Sequence, residues 1–209
     1  MTAGPPWYLG DLADELAAAI GAREAALRLE QAPHGLDTWG ERAVQHALAA
    51  ALARAYTVTL EVHYPSTEGK KRSHRPRCDL VVSRPGVPLH QGESLPLPLC
   101  PPEQALWLEL KVARQRGAGG APDARYAQQW RRHLIADLRK LSAEPRIAAA
   151  AIVLIAFVED EATLARDLDG FETVMAHHDV VAGFRQVRTV PIVDRLGHRL
   201  AAVALWPTV

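Results

Sequence analysis

The chain has 209 residues, of which 48% are hydrophobic and 23% are charged, and these values suit one globular domain with a sizeable core. Lys plus Arg and Asp plus Glu each total 24. The net charge is therefore close to zero, which argues against a dedicated non-specific nucleic-acid binder, since such proteins are usually basic. No apolar run approaches the roughly 18 residues of a membrane helix, and the N-terminus lacks a signal peptide's basic start. We therefore expect a cytoplasmic protein with no membrane partner.

The first part of the chain predicts two helices followed by two strands. Apolar residues recur at helical spacing in the helices, although Arg23 and Glu24 interrupt the first stripe. Alternation of Val58, Leu60 and Val62 indicates the first strand, and two strands around a polar turn predict an antiparallel hairpin. The predicted ranges are 11–30 and 39–55 for the helices and 56–64 and 73–82 for the strands.

Six of the 15 prolines lie within residues 85–102, so we expect a surface insertion there rather than a central strand or a helix. The remaining elements are predicted at 105–113 (strand), 123–142 (helix), 148–158 (strand), 161–178 (helix) and 184–206 (two strands). The order predicts a single α/β domain with a mixed central sheet flanked by helices. An N-terminal helix and a C-terminal β-hairpin complete it. The hairpin either extends the sheet or forms a homodimer.

Two charged residues stand in the strand that contains Trp107. Side chains alternate across a strand, so Glu109 and Lys111 are predicted to share one face. A carboxylate that binds a cation, beside a lysine that steadies the attacking water, is what a metal-dependent phosphodiesterase needs. The same pair also suits an ordinary solvated strand face, so other residues must decide.

Further acids stand at positions that are unusual for acids. Asp79 lies within Cys78–Val82, in the C-terminal half of its predicted strand and on the face opposite Cys78; Asp is a poor strand residue. Glu41 is predicted on the buried stripe of the second helix, and it also fits a capping box with Thr38. Structural roles remain open for both: Asp79 suits a strand end, and Glu41 suits capping.

The next helix carries possible accessory residues, namely Gln129, Asp137 and Lys140. Asp137 is predicted to face the sheet, so it needs a cation or an internal salt bridge, for example to Lys111 or an arginine. Two basic clusters flank the strand of Glu109 in sequence. Their side chains are either solvated or ligands of nucleic-acid phosphates. The predicted phosphate ligands among them are Lys70, Lys71, Arg72, Arg75, Arg77, Arg125, Arg131 and Arg132.

In the order of its elements and in these residues, the chain resembles the PD-(D/E)xK nuclease superfamily, which has the restriction-endonuclease-like fold. The resemblance covers residues 39–158, the αβββαβ core. It implies that the motif acids are Asp79 and Glu109, that the lysine is Lys111 and that the helical glutamate is Glu41. Cys78 departs from the pattern, since the family has proline there.

The resemblance implies a nuclease that hydrolyses phosphodiester bonds in DNA, less often in RNA, and leaves a 5′-phosphate. The cofactor would be Mg²⁺ or Mn²⁺, bound by Asp79, Glu109 and Glu41, while Lys111 assists the attacking water. A non-catalytic protein that binds nucleic acid or a partner on the same fold is the alternative. In that protein the acids would form structural ion pairs.

Overall fold

The computed structural model describes residues 7–67, 76–91, 98–117, 119–124 and 126–209. Its helices are α1 (Leu9–Leu29), α2 (Glu41–Leu52), α3 (Tyr126–Ser142) and α4 (Glu161–His177). Its strands are β1 (Thr57–His63), β2 (Arg77–Ser83), β3 (Leu106–Arg114), β4 (Ala149–Val158), β5 (Gln186–Pro191) and β6 (Leu200–Pro207). Each element lies within a few residues of its predicted range. Residues 73–75, predicted to begin the second strand, lie outside the described residues.

The six strands form one mixed sheet in the order β1-β2-β3-β4-β6-β5. β3 and β4 are parallel, and the other neighbours are antiparallel. A parallel pair needs a crossover connection, and α3 provides it. The predicted α/β class and mixed sheet are confirmed, and the C-terminal hairpin β5–β6 extends the sheet by pairing with β4.

The sheet separates two hydrophobic clusters. α1 and α2 cover one face, while α3 and α4 cover the other. β4 contributes to both clusters; Ile152 and Ile155, which face opposite sides, are both fully buried. Burial on both faces explains why β4 is a continuous apolar run rather than an alternating pattern.

The alternation predicted for β1 breaks near its end. Leu60 packs on the α1/α2 side, as the pattern predicts, but Val62 packs on the α3/α4 side. The residue between them, Glu61, has a left-handed backbone with φ of 54°. This conformation is uncommon for a residue with a side chain. The side chain of Val62 therefore lies on the opposite face from the one that alternation predicts, and the apolar pattern alone does not reveal this change.

β2 switches faces at the paired position. Alternation along the predicted strand places Cys78 and Leu80 on one face, and this expectation is wrong: Leu80 packs on the α1/α2 side, whereas Cys78 packs on the α3/α4 side. The register passes from Leu60–Leu80 to Val62–Cys78 with no pair at Asp79. Asp79 is the third residue of seven in β2, so it stands in the first half of the strand and not in its second half. Asp79 thus lies at the position where the side chains of β2 change faces.

The insertion is anchored at both of its described ends. Leu89 and Cys100 form a parallel bridge, and both side chains are buried. Cys100 and Cys78 are free thiols. The bridge holds the described ends of residues 85–102 against the α3/α4 side of the sheet.

A buried pair ties the segment before α2 to the segment before β6. Asp37 and His198 are 1% and 0% exposed. The imidazole Nε2 faces the Arg116 N–H at 3.0 Å and must therefore accept, so Nδ1 carries the proton and donates to Asp37 Oδ2 at 2.9 Å. His198 is thus hydrogen-bonded through both ring nitrogens.

Removing one partner of this pair is expected to destabilise the fold. Asp37→Ala leaves a buried N–H without an acceptor, so the free energy of unfolding should fall by about 3 kcal/mol. Asp169→Ala, which breaks an exposed ion pair with Arg185, should cost less than about 1 kcal/mol. Urea unfolding of both variants measures the difference. Equal losses would contradict a special role for the pair.

Candidate active site at the divergence of β2 and β3

The site lies where β2 and β3 part. The two strands pair only from Leu80–Leu108 to Val82–Leu106. Beyond that point a side chain, and not the β2 backbone, accepts from β3: Asp79 Oδ2 accepts a 2.7 Å hydrogen bond from the Leu110 N–H. Burial raises the pKa of Asp79, although the Leu110 hydrogen bond opposes the rise. The divergence therefore holds a carboxylate in a defined orientation between two strands.

Glu109 is buried beside Asp79. It is 3% exposed, so the solvated-face interpretation does not apply to it. Its Oε1 accepts hydrogen bonds from the Tyr64 hydroxyl and from Lys140 Nζ, which lies 2.5 Å away. Burial, followed by the negative charges of Asp79 and Asp137, raises the pKa of Glu109 to about 7, against the opposing effect of Lys140.

Lys111 reaches back to Glu41, the first residue of α2. Its Nζ lies 3.1 Å from Glu41 Oε1 and 3.0 Å from the Leu110 carbonyl. The other Glu41 oxygen, Oε2, accepts from the Val112 N–H at 3.1 Å. Burial alone would lower the pKa of Lys111, but the nearby carboxylates, Glu41 first, raise it above its usual value. The ammonium is thus fixed and stays charged.

The two structural predictions for Glu41 are wrong. Its side chain is 44% exposed, so it is not on the buried stripe. α2 begins at Glu41 itself with Gly40 as N-cap, so Glu41 lies too early in the helix to bond back to the cap. The Thr38 hydroxyl instead donates to the Gly35 carbonyl. Exposure at the first turn leaves Glu41 free to reach β3.

α3 contributes a second lysine. Lys140 Nζ lies 3.0 Å from Asp137 Oδ1 and 5.2 Å from the centroid of the Tyr64 ring. The ion pair predicted for Asp137 is therefore made with Lys140 rather than with Lys111 or an arginine. Asp137 Oδ2 is buried without a hydrogen-bond partner. Sequence reasoning did not identify Tyr64, because nothing in its local pattern distinguishes it from a strand-end aromatic.

The site holds more negative than positive charge. Two lysines, Lys111 and Lys140, face four carboxylates, which belong to Glu41, Asp79, Glu109 and Asp137. The atoms that could ligate a metal ion here are all carboxylate oxygens, which suits a hard cation such as Mg²⁺. Within the described ranges, no three His, Cys, Asp or Glu side chains are arranged to hold a metal ion.

Two of the carboxylates fit a divalent cation best. Burial raises the pKa values of both Asp79 and Glu109, and the negative charge of Asp79 raises that of Glu109 further. Such neighbours gain from an added positive charge. Glu41 fits less well, because Lys111 and the Val112 N–H already engage its two oxygens.

A cleft of about 240 Å³ opens on Asp79 from the α2 side, with Arg42 and Arg77 among its lining residues. Buried Gln45 crosses its base and donates to the Asp79 carbonyl at 2.8 Å and to Glu61 Oε1 at 3.2 Å. Gln45 was also missed, although a glutamine on the buried stripe of α2 is a signal that could have identified it.

The predicted phosphate ligands divide into three groups. Arg77 is exposed and lines the cleft at Asp79. Arg131 and Arg132 instead line a separate groove of about 590 Å³ between α3 and α4, where Arg131 also donates to the Asp167 carbonyl at 3.2 Å. The remaining predicted phosphate ligands lie outside the described residues: Lys70, Lys71, Arg72, Arg75 and Arg125. The side chain of Gln129, a predicted accessory residue, also lies outside them.

Comparison with known proteins adds no relative: no family model matches the chain, and no curated protein or solved structure matches it significantly. None of the helices in the described ranges combines the length and the apolar character needed to cross a membrane.

Proposed function

We propose that the chain is a Mg²⁺-dependent deoxyribonuclease with a restriction-endonuclease-like core. The observation that most supports this proposal is that Asp79 is fixed at the divergence of β2 and β3, with Glu109 and Lys111 near enough for both to affect its pKa. Two carboxylates and a lysine, each held by a named backbone or side-chain partner, are the groups that metal-assisted phosphodiester hydrolysis requires. The element order α2-β1-β2-β3-α3-β4 agrees with the resemblance in the sequence.

Asp79 and Glu109 are the residues that would hold the cation. When bound there, Mg²⁺ supplies charge neutralisation at the phosphate and acidifies a coordinated water. The Leu110 N–H orients Asp79, and the Tyr64 hydroxyl orients Glu109. Lys111 presents a fixed ammonium that can steady the attacking oxygen and the negative charge that develops on the phosphate.

The test is Mg²⁺-dependent cleavage of linear, circular, single-stranded and branched DNA, with RNA as the comparison. Asp79→Ala should lower the rate roughly 10²- to 10³-fold or more, because it removes a cation ligand. Asp169→Ala, at an exposed carboxylate on α4 that contacts Arg185, is the matched control and should cleave at the wild-type rate. Full activity in Asp79→Ala would contradict the proposal.

One observation favours the non-catalytic alternative. Glu109 is already engaged within the protein through one oxygen, since its Oε1 accepts from both Tyr64 and Lys140. A nucleic-acid- or partner-binding protein could keep these acids as structural ion pairs. Calorimetric titration with Mn²⁺ separates the two functions: binding that is lost in Asp79→Ala supports the enzyme. Absence of binding to the wild type and to variants with fewer site cations supports the alternative.

A further inference from the structure

Lys140 is the most firmly held cation in the site. It projects from α3 and is fixed on three sides: by Glu109 Oε1 at 2.5 Å, by Asp137 Oδ1 at 3.0 Å and by the face of the Tyr64 ring. Its side chain is 31% exposed, whereas that of Glu109 is 4% exposed. The ammonium thus reaches from the solvent side into the carboxylate cluster.

The position of Lys140 differs from that of Lys111 in one decisive respect. Lys111 is directed away from Glu109, toward Glu41 and the Leu110 carbonyl. Lys140 contacts Glu109 Oε1 itself, at 2.5 Å, and Glu109 is the carboxylate whose pKa the charge of Asp79 raises. A divalent cation held by those two acids would therefore lie a few ångströms from the Lys140 ammonium, close enough for strong repulsion between like charges.

We propose that Lys140 is a resident counter-cation that competes with a divalent cation for Glu109 and so sets the cation affinity of the site. The inference depends on the proposed function, because it takes Asp79 and Glu109 as the cation ligands. It also explains why Glu109, in a site rich in carboxylates, already accepts hydrogen bonds from protein groups through its Oε1. Asp137 keeps the ammonium in place, so the competition is built into the fold.

The test is calorimetric titration of Mn²⁺ into variants at position 140. Lys140→Met keeps the aliphatic stem and removes the charge, so the dissociation constant for Mn²⁺ should fall roughly ten-fold or more. Lys140→Gln removes the charge but keeps a donor for Glu109, and it should show the same gain in Mn²⁺ affinity. This variant provides the test if Lys140→Met folds poorly. Lys140→Arg retains the charge and should stay within about three-fold of the wild type.

Arg139→Met is the matched control. It removes one positive charge from the adjacent position of α3, where the side chain is exposed and contacts the His178 carbonyl instead of the acids. Its Mn²⁺ affinity should equal that of the wild type. An equal gain in Arg139→Met would mean that net charge, and not Lys140, is responsible, and would overturn the inference.

The remaining outcomes separate this inference from the proposed function. Unchanged or weaker Mn²⁺ binding in both Lys140→Met and Lys140→Gln, with binding that still needs Asp79, overturns only the role of Lys140. Binding that persists in Asp79→Ala overturns the assignment of the ligands, and no binding to any variant overturns both proposals. Binding to Lys140→Met but not to the wild type is the strongest support for competition.

Discussion

Glu109→Gln is expected to abolish Mg²⁺-dependent cleavage and, in metal-free buffer at pH 8, to stabilise the fold. The wild-type carboxylate is buried beside Asp79 and near Asp137, and its pKa is raised to about 7. At pH 8 it is therefore held charged at a cost. A glutamine can still accept from Tyr64 and Lys140 through its oxygen, and its N–H can donate to Asp79.

The sign of the pH dependence follows from this raised pKa. The carboxyl has a pKa of about 7 in the folded protein, against 4.5 as the ordinary value, so the folded state binds the proton more tightly. Its contribution to stability is fully present below pH 4.5 and is lost as the pH rises through 7. The loss is about 3 kcal/mol, and a glutamine at position 109 avoids it.

The measurement is urea unfolding with EDTA from pH 4 to pH 8. Glu109→Gln should flatten the decline of stability between pH 4.5 and pH 7 and should exceed the wild type by about 1 to 3 kcal/mol at pH 8. Glu24→Gln is the control, because Glu24 is also buried but pairs with Arg195 away from the site. That variant should keep the wild-type slope. A steeper decline in Glu109→Gln would refute the explanation.

Activity should change in the opposite direction. The amide does not replace a carboxylate as a ligand for Mg²⁺, so cleavage should fall roughly 10²- to 10³-fold or more. Greater stability with lost activity is typical of a site that holds charge at a cost for its chemistry. If Glu109→Gln were destabilised at every pH, Glu109 would instead be a structural half of an ion pair with Lys140.

The sequence predicted the elements well because their signals are local. β4 is an unbroken apolar run, α3 carries a clear apolar stripe, and a polar turn separates the two strand sequences of the β1–β2 hairpin. Glu109 and Lys111 were predicted to share a face. In the structure Glu109 contacts Tyr64 and Lys140, and Lys111 contacts Glu41. Periodicity was sufficient wherever the backbone stayed regular.

The rest of the site depends on contacts that periodicity does not encode. Glu61 adopts a left-handed backbone. Val62 and its partner Cys78 therefore lie on the opposite face from the one that alternation predicts. The helix start at Glu41 is set by the preceding turn rather than by a capping box. Tyr64 and Lys140 meet Glu109 from positions 45 and 31 residues away in sequence. Such long-range convergence appears only when the strands and α3 are packed.

Lys111→Met is expected to lower the cleavage rate by 10²- to 10³-fold with little change in stability. The ammonium is fixed by Glu41 and the Leu110 carbonyl, where the proposed chemistry needs a positive charge at the attacking oxygen or the phosphate. Its ion pair with the half-exposed Glu41 should contribute less than about 1 kcal/mol to folding. Single-turnover cleavage at saturating Mg²⁺, together with urea unfolding, measures both quantities.

Glu41→Gln distinguishes a residue that acts through Lys111 from one that binds the cation. A glutamine still accepts from Lys111 through its oxygen but loses the charge that helps to hold the ammonium, so the rate should fall only about ten-fold, and the Mn²⁺ affinity should not change. In Lys111→Met, Glu41→Gln should then cause no further loss, because the two residues work as one unit. Additive losses, or weaker Mn²⁺ binding in Glu41→Gln, would instead make Glu41 a cation ligand in its own right.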